Sequence, residues 1–85
     1  MCLHVPAHDP DRAVRWATTR EAVGGRIRAL RHERGLTQEE VAHASGVARH
    51  MLAQVERGQR GPPYERLFDV AKALDVPASA LFDDL

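Results

Sequence analysis

The 85-residue chain has one cysteine, few aromatic residues and no long apolar run. A single cysteine cannot form an internal disulfide, so Cys2 is interpreted as an incidental thiol. No stretch approaches the roughly 18 to 20 apolar residues of a membrane span, and residues 1–6 lack the pattern of a secretory signal. The sequence therefore predicts a cytoplasmic protein with one compact domain and little room for a separate catalytic domain.

The sequence also lacks net charge, because 12 basic residues balance 12 acidic ones. Between Arg12 and Arg34, however, seven arginines accompany two glutamates, a local excess of +5. Residues 61–85 carry two basic and five acidic side chains, a local excess of −3. One end of the domain is therefore suited to phosphates, and the other to solvent or a partner. Three of the arginines are interpreted as solvated or as general phosphate attraction: Arg26, Arg28 and Arg34.

Residues 1–17 are predicted to be an N-terminal extension, an arm or a short helix, that precedes a folded unit at 18–85. Within the extension, Asp9, Pro10 and Asp11 have the pattern of an N-cap followed by proline in the first helical turn. The extension contains too few apolar residues to fold alone.

The folded unit begins with a helix predicted over about 19–34. Thr18 and Glu21 have the spacing of a capping box, and apolar side chains then recur at spacings of four and three residues. Gly24 and Gly25 interrupt this pattern. They predict either a close approach to another backbone or a frayed first turn.

Two short helices separated by a glycine turn are predicted in the middle of the chain. Thr37 and Glu40 form a second capping-box pattern, and the helix that follows is predicted to have seven or eight residues and to end at Ser45. A third helix is predicted from about Arg49 to Arg57. This arrangement is typical of a helix-turn-helix.

Two further helices are predicted near the C-terminal end. The apolar stripe of the first has spacings of three and four residues and consists of Leu67, Val70, Ala71 and Leu74. Pro77 predicts the first turn of a last short helix, with residues 80–82 on its apolar side. No segment alternates with a period of two. The predicted fold class is therefore all-α, a compact five-helix domain.

The most specific signal is the combination of Gly35–Ala42 with Gly46-Val47 and Val55–Gly58. Over Val23–Phe82 the chain resembles the DNA-binding domain of the Cro and phage-repressor family, also called the xenobiotic-response-element family. The resemblance implies a lambda-repressor-like fold. It also implies sequence-specific binding of double-stranded DNA in the major groove by a transcriptional regulator, a repressor or autoregulator.

The resemblance places the exposed side of the third helix against base edges. Base contacts are expected from Arg49, His50, Met51 and Gln54. Arginine can pair with two guanine acceptors, glutamine can pair with adenine, and methionine can touch a thymine methyl. The alternative interpretation is that these four side chains only keep the helix soluble.

Contacts with the DNA backbone are expected from five residues: Thr37, Gln38, Arg57, Gln59 and Arg60. Gln38 is expected to clamp a phosphate together with the free N–H groups at the start of the second helix. Thr37 is expected chiefly to cap that helix. Arg60 is the preferred contact in the loop after the third helix.

Other positions of the family pattern are expected to be structural. Arg31 and Glu56 are expected to form a partly buried salt bridge between the first and third helices. Ala48 departs from the pattern, because serine or threonine usually caps the third helix at this position. The apolar and small residues of the motif are Val41, Ala42, Gly46, Val47, Leu52 and Val55.

A homodimer on a palindromic operator is expected, because one small domain buries too little surface for tight binding. The candidate side chains for the dimer interface are Phe68, Phe82 and Leu85, and Phe82 fits a core position equally well. A second hypothesis is an antitoxin or coactivator-like module whose acidic C-terminal end binds a protein partner, such as a toxin or another regulator.

An enzyme is the least favoured hypothesis. Its only basis is a possible metal-ligand cluster in the extension, formed by Cys2, His4, His8 and Asp9. A leader segment lacks the packed pocket and supporting hydrogen bonds of a metal site. No catalytic residue, cofactor or metal is therefore predicted. The sequence does not separate the phage-repressor, restriction-modification controller and antitoxin subgroups.

Overall fold

The structure is a computed structural model that describes residues 10–83 and residue 85. Four α-helices and one 3-10 helix follow in the order α1 (Pro10–Glu33), α2 (Gln38–Ser45), α3 (Arg49–Glu56), α4 (Tyr64–Ala73) and η1 (Ala78–Phe82). No strand occurs in this part of the chain, which confirms the all-α prediction. The predicted fifth α-helix is instead the 3-10 helix η1, which begins after Pro77 rather than at it.

α1 is one continuous helix of 24 residues, so the predicted start near residue 19 is wrong. Thr18 does not cap it, because the Thr18 hydroxyl donates a hydrogen bond of 3.0 Å to the Val14 carbonyl oxygen inside the helix. The helix begins at Pro10, as the proline pattern predicts. Residues 10–17 are therefore the first turns of α1, while Asp9 lies outside the described residues.

The predicted capping box at the start of α2 is present. The Glu40 N–H donates to the Thr37 hydroxyl oxygen at 3.1 Å, and the Thr37 N–H donates to Glu40 Oε1 at 2.9 Å. Gly46 ends α2 with a left-handed φ of 73°, which favours glycine. Ala48 supplies no side-chain cap to α3, as predicted. The start of α2 is thus stabilised by capping side chains in its own sequence. The start of α3 has no such cap and depends on packing.

The core lies among all five helices, because α1 packs on α3 and η1, and α2 packs on α3 and α4. Its fully buried side chains include Ile27, Val41, Leu52, Leu74 and Leu81. The expected motif core is confirmed at Val41, Ala42, Val47, Leu52 and Val55. Phe82 does not complete this core, because the adjacent Leu81 points inward and leaves Phe82 41% exposed.

The end of α3 is held close to α1 at Gly24. A methyl group on Gly24 would overlap the Val55 carbonyl oxygen, whereas Gly25 has open space around it. The close approach predicted for the glycine pair is therefore confirmed at Gly24. This contact fixes α3 against the longest helix, so the surface of α3 that faces outward is also fixed.

Candidate nucleic-acid interface

α3 presents a polar side away from the core. Leu52 and Val55 are buried, whereas Arg49 and His50 are exposed and Gln54 is half-buried. A helix has about 3.6 residues per turn, so His50 and Gln54 lie one above the other opposite the core. Arg49 lies at the edge of this side that faces α2. The structure therefore brings these three predicted base-contacting side chains to one end of the molecule.

Met51 does not project with them. Its side chain is half-buried and packs against the hydrophobic core. The reason is helical spacing, since Met51 precedes the buried Val55 by one turn. The prediction that Met51 projects away from the core is wrong.

Arg49 lies beside an acidic side chain of α2. Arg49 Nη1 is 4.0 Å from Glu39 Oε1, and the two side chains are 64% and 76% exposed. An exposed pair of this kind contributes only about 0 to 1 kcal/mol. Glu39 therefore holds Arg49 only weakly, and the guanidinium remains accessible to another acceptor.

The predicted ion pair between Arg31 and Glu56 is present beneath the polar side. Arg31 Nε and Nη2 donate to the two Glu56 carboxylate oxygens at 2.8 and 2.9 Å, and Nη1 donates to the Leu36 carbonyl oxygen at 2.9 Å. The side chains are only 10% and 2% exposed. The hydrogen bonds to Glu56 raise the pKa of Arg31 above its ordinary value, although burial opposes this shift. Arg31 is therefore a cation that is already bound to Glu56 and to the Leu36 carbonyl oxygen.

Gln38 extends the ion pair to the start of α2. Its Nε2 donates to Glu56 Oε1 at 3.2 Å. A primary amide has two N–H donors, so a second donor remains for another acceptor. The Gln38 and Glu39 N–H groups have no acceptor within the helix, whereas the Glu40 N–H already donates to Thr37. Together these donors suit a phosphate oxygen.

A shallow depression beside Gln38 joins residues that sequence reasoning did not combine. It is lined by Arg28, Arg31, Ala53, Glu56 and Arg57 together with Gln38. Arg28 precedes Arg31 by three residues, a spacing that places both on neighbouring parts of one helix surface. That spacing was the available signal. Ala53 also lines the depression, but an alanine in a sequence gives no indication of a binding role.

Arg26 and Arg34 do not belong to this site. Arg26 Nε donates to the Ala80 carbonyl oxygen at 3.0 Å, and its Nη2 lies 3.4 Å from Asp83. Arg34 Nη2 donates to the Asp75 carbonyl oxygen at 3.5 Å. The interpretation of Arg26 as a solvated arginine is wrong, because it joins α1 to the C-terminal end of the fold.

The loop after α3 exposes the remaining predicted contacts, Arg57, Gln59 and Arg60. Its position is set by Gly58, which has a φ of 74° and lies against Glu21 of α1. A side chain at Gly58 would approach the Glu21 Cγ within 2.6 Å. The loop is therefore held to the helix scaffold at one point while its cationic side chains face outward.

No group of three or more His, Cys, Asp or Glu side chains in residues 10–83 and 85 is arranged to hold a metal ion. Over the same residues, no helix is both long enough and apolar enough to cross a membrane. The possible ligand cluster at Cys2, His4, His8 and Asp9 lies outside the described residues.

Comparison with known proteins identifies the family. The model of the helix-turn-helix family matches residues 27–81. The chain belongs to the helix-turn-helix family. Over 57 residues it is 46% identical to the uncharacterized HTH-type transcriptional regulator y4dJ of Sinorhizobium fredii, covering 67% of this chain and 74% of that protein. Over 59 residues it is 42% identical to the immunity repressor protein of Bacillus phage phi105, covering 69% of this chain and 41% of the repressor. The family resemblance is confirmed, and the function class is DNA-binding transcription regulation.

Solved structures agree on the fold. The restriction-modification controller protein C.AhdI of Aeromonas hydrophila superimposes with a TM-score of 0.75 at 38% identity, covering 76% of this chain and 98% of the controller. The tetramer of the controller C.Esp1396I, in complex with its natural 35-base-pair operator, gives a TM-score of 0.70 at 29% identity and covers 76% and 86%. About three quarters of this chain therefore aligns with most of the length of both controller chains.

Proposed function

We propose that this protein is a sequence-specific transcriptional regulator that inserts α3 into the major groove of double-stranded DNA. The observation that carries the proposal is the polar side of α3, where His50 and Gln54 lie opposite the core and Arg49 lies beside Glu39 of α2. The major groove is about 12 Å wide and accepts a helix, and it offers the donor and acceptor patterns that these side chains complement. Met51 is not among the proposed readers.

Contacts with the DNA backbone are proposed on both sides of α3. Gln38 and the first N–H groups of α2 bind one phosphate, and Arg28 and Arg57 supply positive charge in the adjoining depression. Arg60 and Gln59 bind the backbone beyond the end of α3. Thr37 is proposed to cap α2 rather than to contact DNA, because its hydroxyl oxygen already accepts a hydrogen bond from the Glu40 N–H. These contacts position α3 without reading sequence.

The proposed functional unit is a homodimer on a palindromic operator, acting as a repressor or autoregulator in the cytoplasm and binding DNA without catalysis. Two copies double the buried surface and place two α3 helices one helical turn of DNA apart. The operator-bound tetramer of C.Esp1396I supports the oligomer, and the phage phi105 relative supports repression.

Selection of bound duplexes from a random pool tests this function. The parent chain is expected to enrich a two-fold symmetric motif with half-site centres about 10 base pairs apart. The control is a double variant, Arg49→Ala with Gln54→Ala, which is expected to enrich a degenerate motif. The proposal that α3 reads the sequence would be contradicted if the parent chain enriched no motif. It would also be contradicted if the parent chain and the double variant enriched the same motif.

A further inference from the structure

α1 brings an arginine to the loop that follows α3. Arg20 precedes the buried Val23 by three residues and Ile27 by seven, spacings that place it on the side of α1 that packs against the fold. A methyl group on Gly61 would lie 3.5 Å from Arg20 Cδ, an ordinary van der Waals distance. Arg20 is half-buried, so its aliphatic stem lies beside the loop while part of the side chain stays accessible.

Arg20 and Arg60 line the same groove, between α1 and the loop. Among the described residues that line it, none is an aspartate or a glutamate. Glu21, the acidic neighbour of Arg20 in the sequence, instead approaches the loop at Gly58. Over residues 10–83 and 85, neither Arg20 nor Arg60 forms an ion pair. Two cations thus line one groove without a carboxylate to balance them.

This arrangement repeats one that belongs to the proposed DNA surface. In the depression beside Gln38, Arg28 of α1 lies with Arg57 from the end of α3. In the groove, Arg20 of α1 lies with Arg60. Arg20 and Arg28 are eight residues apart, which is about 12 Å along the helix axis and about 80° around it. These cations therefore extend along α1, and the DNA backbone is a partner whose negative charges also extend in a line.

We propose that Arg20 is a further contact with the DNA backbone, and that it binds, together with Arg60, the phosphates beside the bases that α3 reads. This inference rests on the proposed DNA binding and adds α1 to the contact surface. A guanidinium donates two parallel hydrogen bonds to phosphate oxygens. A phosphate beside both guanidinium groups also offsets the repulsion between them.

The variant that tests this contact is Arg20→Gln, because glutamine keeps much of the aliphatic stem beside Gly61 and removes the charge. Arg20→Lys keeps the charge and is the conservative variant. Arg34→Gln is the control, since it removes a cation from the same helix outside the proposed interface, where Arg34 bonds to the Asp75 carbonyl oxygen. Urea unfolding checks that each variant is folded.

Fluorescence anisotropy measures the Kd of the full chain on its preferred duplex and on a scrambled duplex, at several salt concentrations between about 50 and 200 mM. Arg20→Gln is expected to raise the Kd several-fold on both duplexes. It is also expected to reduce the slope of log affinity against log salt by about one per bound copy. Arg20→Lys is expected to keep most of that slope, and Arg34→Gln to change it by less than half as much.

Three results would overturn the proposal. An unchanged salt slope in Arg20→Gln would mean that Arg20 only packs against the loop. An equal change in Arg34→Gln would mean that the effect follows overall charge. A loss confined to the preferred duplex would assign Arg20 to base reading.

Failure of the proposed function gives a different result, because a parent chain that binds no duplex at any of these salt concentrations would contradict DNA binding itself. A parent chain that prefers its own duplex, with Arg20→Gln binding as the parent does, would contradict only the contact from α1.

Discussion

Two surfaces of this small protein expose different kinds of side chain. The end formed by α2 and α3 exposes cationic and amide side chains above the buried Arg31–Glu56 pair. The groove between the start of α1 and the C-terminal residues exposes Trp16 and Phe82, and Arg20 and Arg60 also line it. The first surface suits the phosphates and base edges of DNA, and the second combines aromatic rings with two guanidinium groups.

The surfaces also differ in what supports them. Under the polar surface, the Glu56 carboxylate accepts hydrogen bonds from both Arg31 and Gln38, and these bonds join α1, α2 and α3. Among the described residues, no buried side-chain nitrogen or oxygen atom lacks a partner. At the other surface, Trp16 of α1 and Phe82 of η1 are 57% and 41% exposed. The polar surface is thus fixed by buried hydrogen bonds, whereas the two aromatic side chains remain partly exposed.

The largest expected effect comes from removing the support of the polar surface. Glu56→Ala leaves the Arg31 guanidinium buried without its partner, which is expected to lower the free energy of unfolding by about 3 to 5 kcal/mol. Urea unfolding measures this loss. Asp69→Ala is the control, because it removes the exposed Arg66–Asp69 pair and is expected to cost at most about 1 kcal/mol. Similar losses in both variants would show that the buried pair does not hold α3 in place.

A smaller effect is expected from the backbone contacts. Gln38→Ala and Arg60→Ala are each expected to weaken binding by a similar factor on all duplexes, because phosphates carry no sequence information. Loss of the Arg60 charge should also reduce the slope of log affinity against log salt by about one per site, whereas Gln38→Ala leaves that slope nearly unchanged. Fluorescence anisotropy titrations at several salt concentrations measure both. A loss confined to one base-pair position would instead assign that side chain to base reading.

The missing cap of α3 offers a gain of stability. Ala48 has φ −60° and ψ 137°, an extended conformation that an N-cap residue adopts. Ala48→Ser is therefore expected to raise the free energy of unfolding by about 1 kcal/mol. Ala29→Ser is the control, since it places serine on the exposed surface of α1 and is expected to lower stability by a few tenths of a kcal/mol. No gain from Ala48→Ser would mean that its hydroxyl does not reach the first N–H groups of α3.

The smallest effect is a pH dependence at the start of α2. The hydrogen bonds with Thr37 lower the pKa of Glu40 below its ordinary value of 4.5. A lowered pKa in the folded state means that the ionised group stabilises the fold above about pH 4.5, and that this contribution is lost as pH falls through the lowered pKa. Glu40→Gln keeps a capping side chain without titrating. The difference in unfolding free energy between parent and variant should therefore shrink on acidification, and a constant difference would contradict the capping role of the carboxylate.

The elements that sequence reasoning predicted well depend on local rules. The α2 capping box needs only Thr37 and Glu40 at the right spacing, and the turn after α2 needs only a glycine with positive φ. The Arg31–Glu56 pair followed from the family resemblance rather than from spacing. The contacts proposed for DNA remain predictions.

The errors have physical causes that a local pattern does not contain. Thr18 and Glu21 match a capping box, but no proline or glycine between residues 11 and 17 stops the helix before them. Met51 looked exposed because its polar neighbours are, although its spacing from Val55 turns it toward the core. The bond from Gln38 to Glu56 depends on how α1, α2 and α3 cross, which only the three-dimensional structure defines.

Binding of Arg49→Ala and Gln54→Ala to the preferred duplex and to its single-base-pair variants tests the central claim most directly. Each substitution is expected to cost about 1 to 3 kcal/mol on the preferred duplex and to relax preference at one base pair per half-site. Stability should be unchanged, because neither side chain is buried in the core. If both folded variants bound every duplex as the parent does, α3 would not be the reading helix.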